Sequence, residues 1–318
     1  MGRGYFLITL FLFLFHSSPL WAQEKNDHSV SSSQIFAYDQ DLPIESEMEV
    51  EEESKGWISY RVSYKSVWGH RAIASYVVPH GEETQKWPCI LLLHGHPGSR
   101  KDYRRIWPTF IKNGFAVLVP DAWGHGERKR KDQTEYFGKY PYQTRNMLIQ
   151  SVIDYRRGID FLQTRPEIDT HRIGLFGASM GGILGTLLSG SDSRVNAPII
   201  MVAGGGWKEM YASSTLPEVA RARENLTKGE IALGIKAMDS IDPRHWVGNI
   251  SPRPVLLING DQDKVVPVVG NKILHAAAQE PKTILWYKGG HLPMGSERER
   301  VMAKIFSWLK EHFRPASE

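Results

Sequence analysis

The chain has 318 residues, 41% of them hydrophobic and 23% charged, with a formal net charge of +4. That composition excludes a disordered or fibrous chain and leaves enough apolar material for one large α/β core. The small basic excess is spread along the chain, which excludes the clustered Lys/Arg face that nucleic acid requires, and a lone cysteine, Cys89, excludes an internal disulfide.

At the N-terminus, Arg3 precedes an uncharged apolar stretch over residues 5–15, followed by Ser17, Ser18, Pro19 and Ala22, then polar Gln23, Glu24 and Lys25. A spanning helix needs about 20 apolar residues. The shorter stretch predicts a signal peptide over residues 1–22, export to a periplasm or the exterior, and no membrane anchor after cleavage. Residues 23–55, which carry Glu45, Glu47, Glu49, Glu51, Glu52 and Glu53, show little apolar periodicity and predict a loosely packed acidic arm. The catalytic domain is expected over residues 56–318.

Residues 57–64 and 71–78 alternate and are rich in β-branched and aromatic side chains, which predicts a hairpin turning at Trp68, Gly69 and His70. Strand-like runs follow at 89–93, 116–120, 172–176, 198–202, 255–258 and 283–287, alternating with helix-like ones. The clearest helical face is Leu148, Val152, Tyr155, Ile159 and Leu162, and a last helix is expected over 297–313. This alternation predicts a mostly parallel sheet covered by helices on both faces. The basic run at 128–131 reads as a solvated loop. Residues 204–253 are too many for a simple crossover and contain short helical patterns at 216–226 and 231–238, which predicts a cap insertion.

A serine hydroxyl becomes a useful nucleophile only when exposed beside a base and near donors for the developing oxyanion. Gly177, Ala178, Ser179, Met180 and Gly181 form a G-x-S-x-G run between a strand and an apolar helix, the setting of a nucleophile elbow, and its glycines allow strand and helix to approach closely. Downstream stand two candidate acids, Asp261 and Asp263, and then His291 after Gly289 and Gly290, in the chain order Ser, Asp, His.

These motifs resemble the α/β-hydrolase superfamily, and within it the dienelactone-hydrolase-like and prolyl-oligopeptidase-like esterases, over nearly all of residues 57–313. The resemblance implies an α/β-hydrolase fold with an eight-stranded sheet and a cap. His94, Gly95 and His96 resemble the oxyanion loop after the third strand, which implies backbone donors at His96 and Met180. The loop at 257–267 resembles the one carrying the acid and favours Asp263 over Asp261. The run from Asp121 to Gly126 is similar to an architectural turn. Dienelactone hydrolase proper uses cysteine where this chain has Ser179.

The activity implied is a carboxylesterase acting through an acyl-enzyme on a small ester, of short acyl or carbohydrate type, without cofactor. The alternatives are a peptidase of the prolyl-oligopeptidase kind, whose relatives carry a preceding β-propeller, and a non-catalytic protein on the same fold. His94, His96 and His125 invite a metal-site reading, but no acidic-His pair or H-E-x-x-H motif accompanies them, so no metal is expected. His70, His80, His171, His245, His275 and His312 are expected mainly at solvent. Trp123 and Trp207 are the candidate pocket walls, because ligands of open α/β sheets bind beyond the carboxyl ends of the strands. The oligomeric state is not legible in the sequence.

Overall fold

The computed structural model describes Met1 and residues 34–82, 84–130 and 136–313. The expected signal peptide, apart from Met1, and the start of the acidic arm lie outside the described residues.

Among the described residues, nine strands form one sheet: β1 (Glu47–Ser54), β2 (Trp57–Lys65), β3 (Arg71–Pro79), β4 (Trp87–Leu93), β5 (Ala116–Pro120), β6 (Ile168–Ala178), β7 (Ile199–Met201), β8 (Val255–Gly260) and β9 (Lys282–Tyr287), in the order β1-β2-β3-β5-β4-β6-β7-β8-β9. The first three are antiparallel to their neighbours, and β5, β4, β6, β7, β8 and β9 run parallel.

The strand beyond the expected eight is β1, from within the expected acidic arm. Two facts correct that expectation. Met48 and Val50 keep a short alternation, and the glutamates find cations far along the chain: Glu51 meets Arg100 at 2.8 Å and Glu52 meets Arg104 at 2.6 Å. Composition shows the acids but not their long-range partners. A charged outermost strand also discourages further pairing at the sheet edge.

The inner strands read as continuous apolar runs because both of their faces are buried. Along β4, Leu91 and Leu93 point into a core shared with helices α2 (Pro141–Gln163) and α3 (Met180–Ser191), while Ile90 and Leu92 join α1 (Trp107–Lys112) and α8 (Gly295–His312) on the other side. Cys89 is fully buried, and burial pushes its thiol well above the ordinary range. Within residues 204–253, the region expected as a cap, lie helices α4 (Trp207–Ser213), α5 (Pro217–Asn225) and α6 (Lys228–Met238); α7 (Val268–Ala277) follows β8.

Candidate active site

Ser179 sits where β6 turns sharply into α3, with φ 58° and ψ −122°, a left-handed backbone that a non-glycine residue adopts only under constraint. The constraint is steric. A Cβ on Gly181 would collide with the carbonyl of Leu93, and one on Gly177 with the carbonyl of Gly181, so only glycine lets strand and helix approach this closely. The amide of Ser179 is tied to the Met201 carbonyl at 3.0 Å, which anchors the elbow to β7.

Two loops bring the other members to Ser179. His291 follows β9; its Nε2 lies 2.9 Å from Ser179 Oγ and its Nδ1 lies 2.8 Å from Asp263 Oδ2. An ionised carboxylate can only accept, so Nδ1 carries the proton and the Nε2 lone pair faces the serine hydroxyl. The Asp263 side chain is fully buried. Its other oxygen accepts the amides of Val265 and Val266, at 2.9 and 3.1 Å, which holds the acid rigidly. Asp261 is exposed and accepts the Gly289 amide at 2.9 Å, tethering the loop that bears the histidine. Tyr287, a contributor invisible to motif reading, bonds through its hydroxyl to the His291 carbonyl at 2.8 Å.

The loop after β4 lies against Ser179: a Cβ on Gly95 would come within 3.3 Å of Ser179 Cβ, and His96 lines the same cleft as Ser179. Met180 opens α3, and the first amides of a helix have no partner within it. A tetrahedral oxyanion at Ser179 could therefore draw on the positive helix end.

His94, His96 and His125 do converge, but both ring nitrogens of each already meet protein atoms. Buried His94 faces the Gly95 carbonyl through Nδ1 and accepts the Ala122 amide through Nε2, both at 3.0 Å, and burial pushes its pKa down. His96 Nδ1 lies 2.9 Å from His125 Nε2, while His96 Nε2 lies 3.3 Å from Glu218 Oε1 on α5. Burial, with His94 nearby, pushes His125 down to about 3. Glu218 escaped sequence reasoning because an acid in the first turn after a proline is an ordinary helix-start residue.

The cleft above Ser179 has a cavity volume of about 200 Å³ and is chiefly apolar: Phe137, Ile183, Trp207, Met210, Val219, Ile231, Ile235 and Met238 contribute to its walls. Trp207 lies there. Buried Asp242 fixes it by accepting the amides of Gly206 and Trp207, at 2.8 and 3.0 Å, at the start of α4.

Trp123 does not line that cleft, which corrects its expected role. Its ring is held between His70, 4.4 Å away, and the Arg128 guanidinium, 4.8 Å away, and it borders a separate depression with Trp68 and Tyr142. Arg128 corrects a second expectation. Instead of being solvated, its side chain is nearly buried and meets Asp154 at 2.7 Å. His275 likewise departs from the solvent-facing expectation: it is buried against Asn259 at 2.8 Å and pushed down to about 4 by burial, then by Lys282.

The profile of the Dienelactone hydrolase family matches residues 73–291. The chain is 24% identical to the putative hydrolase YtaP of Bacillus subtilis, over 64% of this chain and 69% of that protein. It is also 24% identical to esterase YjfP of Escherichia coli, over 64% of this chain and 80% of that one. Solved structures share the fold, two acetyl xylan esterases among them. Acetyl xylan esterase 1 from Thermoanaerobacterium superposes with a TM-score of 0.74 at 18% identity, covering 87% of this chain and 92% of that one. The acetyl xylan esterase from Paenibacillus sp. R4 gives 0.73 at 21% identity, over 87% and 91%.

Proposed function

Because the chain belongs to the dienelactone hydrolase family, we propose that it is a serine esterase that cleaves small carboxylic esters through an acyl-enzyme on Ser179. The observation that carries this reading is the unbroken hydrogen-bonded series from Asp263 through His291 to Ser179, with contacts of 2.8 and 2.9 Å. His291 takes the hydroxyl proton as Ser179 Oγ attacks the ester carbonyl, and Asp263 holds the imidazole tautomer and stabilises the imidazolium. The amides of His96 and Met180 serve as donors to the oxyanion. His291 then returns the proton to the departing alcohol, and water, activated by the same histidine, releases the acid.

The chiefly apolar lining of the cleft supports an apolar acyl group, with acetyl to butyryl as the proposed range, in preference to a sugar-lined subsite at that position. Export as a soluble protein after removal of residues 1–22 belongs to the same proposal and rests on the N-terminal sequence. N-terminal sequencing of the mature protein tests it, with a start near Gln23 expected.

Rapid mixing with p-nitrophenyl acetate tests the mechanism. A burst of p-nitrophenol stoichiometric with enzyme, and an acetyl adduct on the peptide containing Ser179 after acid quench, are expected. An adduct on another residue would refute the assignment.

A further inference from the structure

The contacts around His96 contain a proton-counting problem. The Trp123 carbonyl and the Glu218 carboxylate can only accept hydrogen bonds, and His125 and His96 stand between them. Three contacts join the series: Trp123 O to His125 Nδ1 at 3.2 Å, His125 Nε2 to His96 Nδ1 at 2.9 Å, and His96 Nε2 to Glu218 Oε1 at 3.3 Å. Each needs one N–H, and two neutral imidazoles supply only two. The arrangement is complete only with a third proton.

Its location follows from the surroundings. Burial and the neighbouring His94 keep His125 neutral, pushed down to about 3. Burial pushes Glu218 upward, but its other oxygen accepts the Phe137 amide at 3.1 Å, a contact that favours the carboxylate without reference to His96. His96 remains, as an imidazolium between a neutral histidine and a carboxylate. The other titratable or charged groups facing the pair are His94 beside it, Tyr136 with its ring 5.6 Å from His96, Arg221 on α5, and Ser179, Glu230 and His291 across the cleft.

We infer that Glu218 is a positioning residue: it latches the cap to the oxyanion loop through an ion pair with protonated His96, so the closed site holds one proton more than the open one. The inference adds to the proposed mechanism, and its catalytic part rests on the reading of His96 as an oxyanion donor. The side chain and the amide belong to one residue, so fixing the imidazole from the cap also fixes the direction of the N–H. Raising the pH removes the extra proton and favours opening; strong acid protonates Glu218 and releases the latch from the other side.

Glu218→Gln separates charge from shape. A glutamine can accept the Phe137 amide through its carbonyl and donate its NH₂ to unprotonated His96 Nε2, which completes all three contacts with neutral rings. Long-range ¹H–¹⁵N spectra of histidine-labelled protein, with His96 assigned from its loss in His96→Gln, read the protonation directly. At the pH of maximal turnover, wild-type His96 is expected to show two protonated nitrogens and Glu218→Gln only one. A bare nitrogen on wild-type His96, or identical spectra in the two proteins, overturns the inference. These spectra do not depend on ester cleavage, so their outcome is separable from the fate of Ser179.

Turnover gives the second readout. Glu218→Ala should lower kcat by about tenfold to a hundredfold with little change in KM, a fraction of the roughly 10²–10³ lost when an oxyanion donor is removed. Glu218→Gln should restore kcat and flatten the alkaline limb of the pH profile. Unchanged kcat in folded Glu218→Ala, or an alkaline limb identical in wild type and Glu218→Gln, overturns the positioning role.

Discussion

Asp261 and Asp263 divide the work of the loop after β8: the first accepts the Gly289 amide at 2.9 Å, and the second accepts Nδ1 of His291 at 2.8 Å. One carboxylate holds the loop that carries the imidazole, and the other holds the imidazole itself. Asp263→Asn should therefore lower kcat by about 10⁴ through loss of the correct tautomer. Asp261→Asn should cost only about 1 kcal/mol of stability from a weakened hydrogen bond. Kinetics and thermal melts on the two variants check this, and the reverse ranking would exchange the roles of the two acids.

The proposed preference for short acyl groups is tested by chain length. Each methylene that finds an apolar wall contributes about 0.8 kcal/mol, close to fourfold in kcat/KM. Efficiency on p-nitrophenyl esters should peak between acetyl and butyryl and then fall. Trp207→Ala should move the peak to longer acyl groups by removing a wall of the cavity. A steady rise to long-chain esters in the wild type would contradict the short-pocket reading.

Arg100 is 1% exposed and joins the outermost strand to the sheet, meeting Glu51 through two contacts of 2.8 Å, Ser75 at 2.6 Å and Glu127. Arg100→Ala should destabilise the protein by about 3 kcal/mol, the lower end for breaking a buried pair, because both carboxylates still reach solvent. Arg104→Ala breaks an exposed pair with Glu52 and should cost less than about 1 kcal/mol. Denaturant unfolding of the two variants measures the contrast.

The same cluster carries a pH dependence. The hydrogen bond from Arg100 holds Glu51 below its ordinary 4.5, against the opposing effect of burial. A lowered carboxyl contributes stability above its unfolded value and loses it as pH falls through the folded one. The Tm difference between wild type and Glu51→Gln should thus be full near neutrality and shrink on acidification below 4.5. A difference independent of pH would remove the charge from the explanation.

The parts of the site legible in the sequence are those that local geometry forces on the chain. Gly177 and Gly181 are required by atoms within a few residues or on the adjoining strand, and the order Ser179, Asp263, His291 follows from strands that end at one edge of the sheet. The parts that were not legible depend on partners far along the chain. Glu51 and Arg100 are 49 residues apart, and His96 and Glu218 are 122 apart. Trp123 shows the converse difficulty. It follows β5 at the correct end of the sheet, yet stacking against His70 and Arg128 takes its ring away from the cleft. Spacing in sequence places a residue on an edge; only packing decides which side of α2 its ring occupies.

The identity of the nucleophile is tested most directly by covalent labelling with a fluorophosphonate, followed by mass spectrometry of the modified peptide. The expected result is stoichiometric modification of Ser179, absent in Ser179→Ala although that variant retains the wild-type circular dichroism and melting behaviour. Undiminished labelling of folded Ser179→Ala, or modification of a different residue in the wild type, would contradict the account.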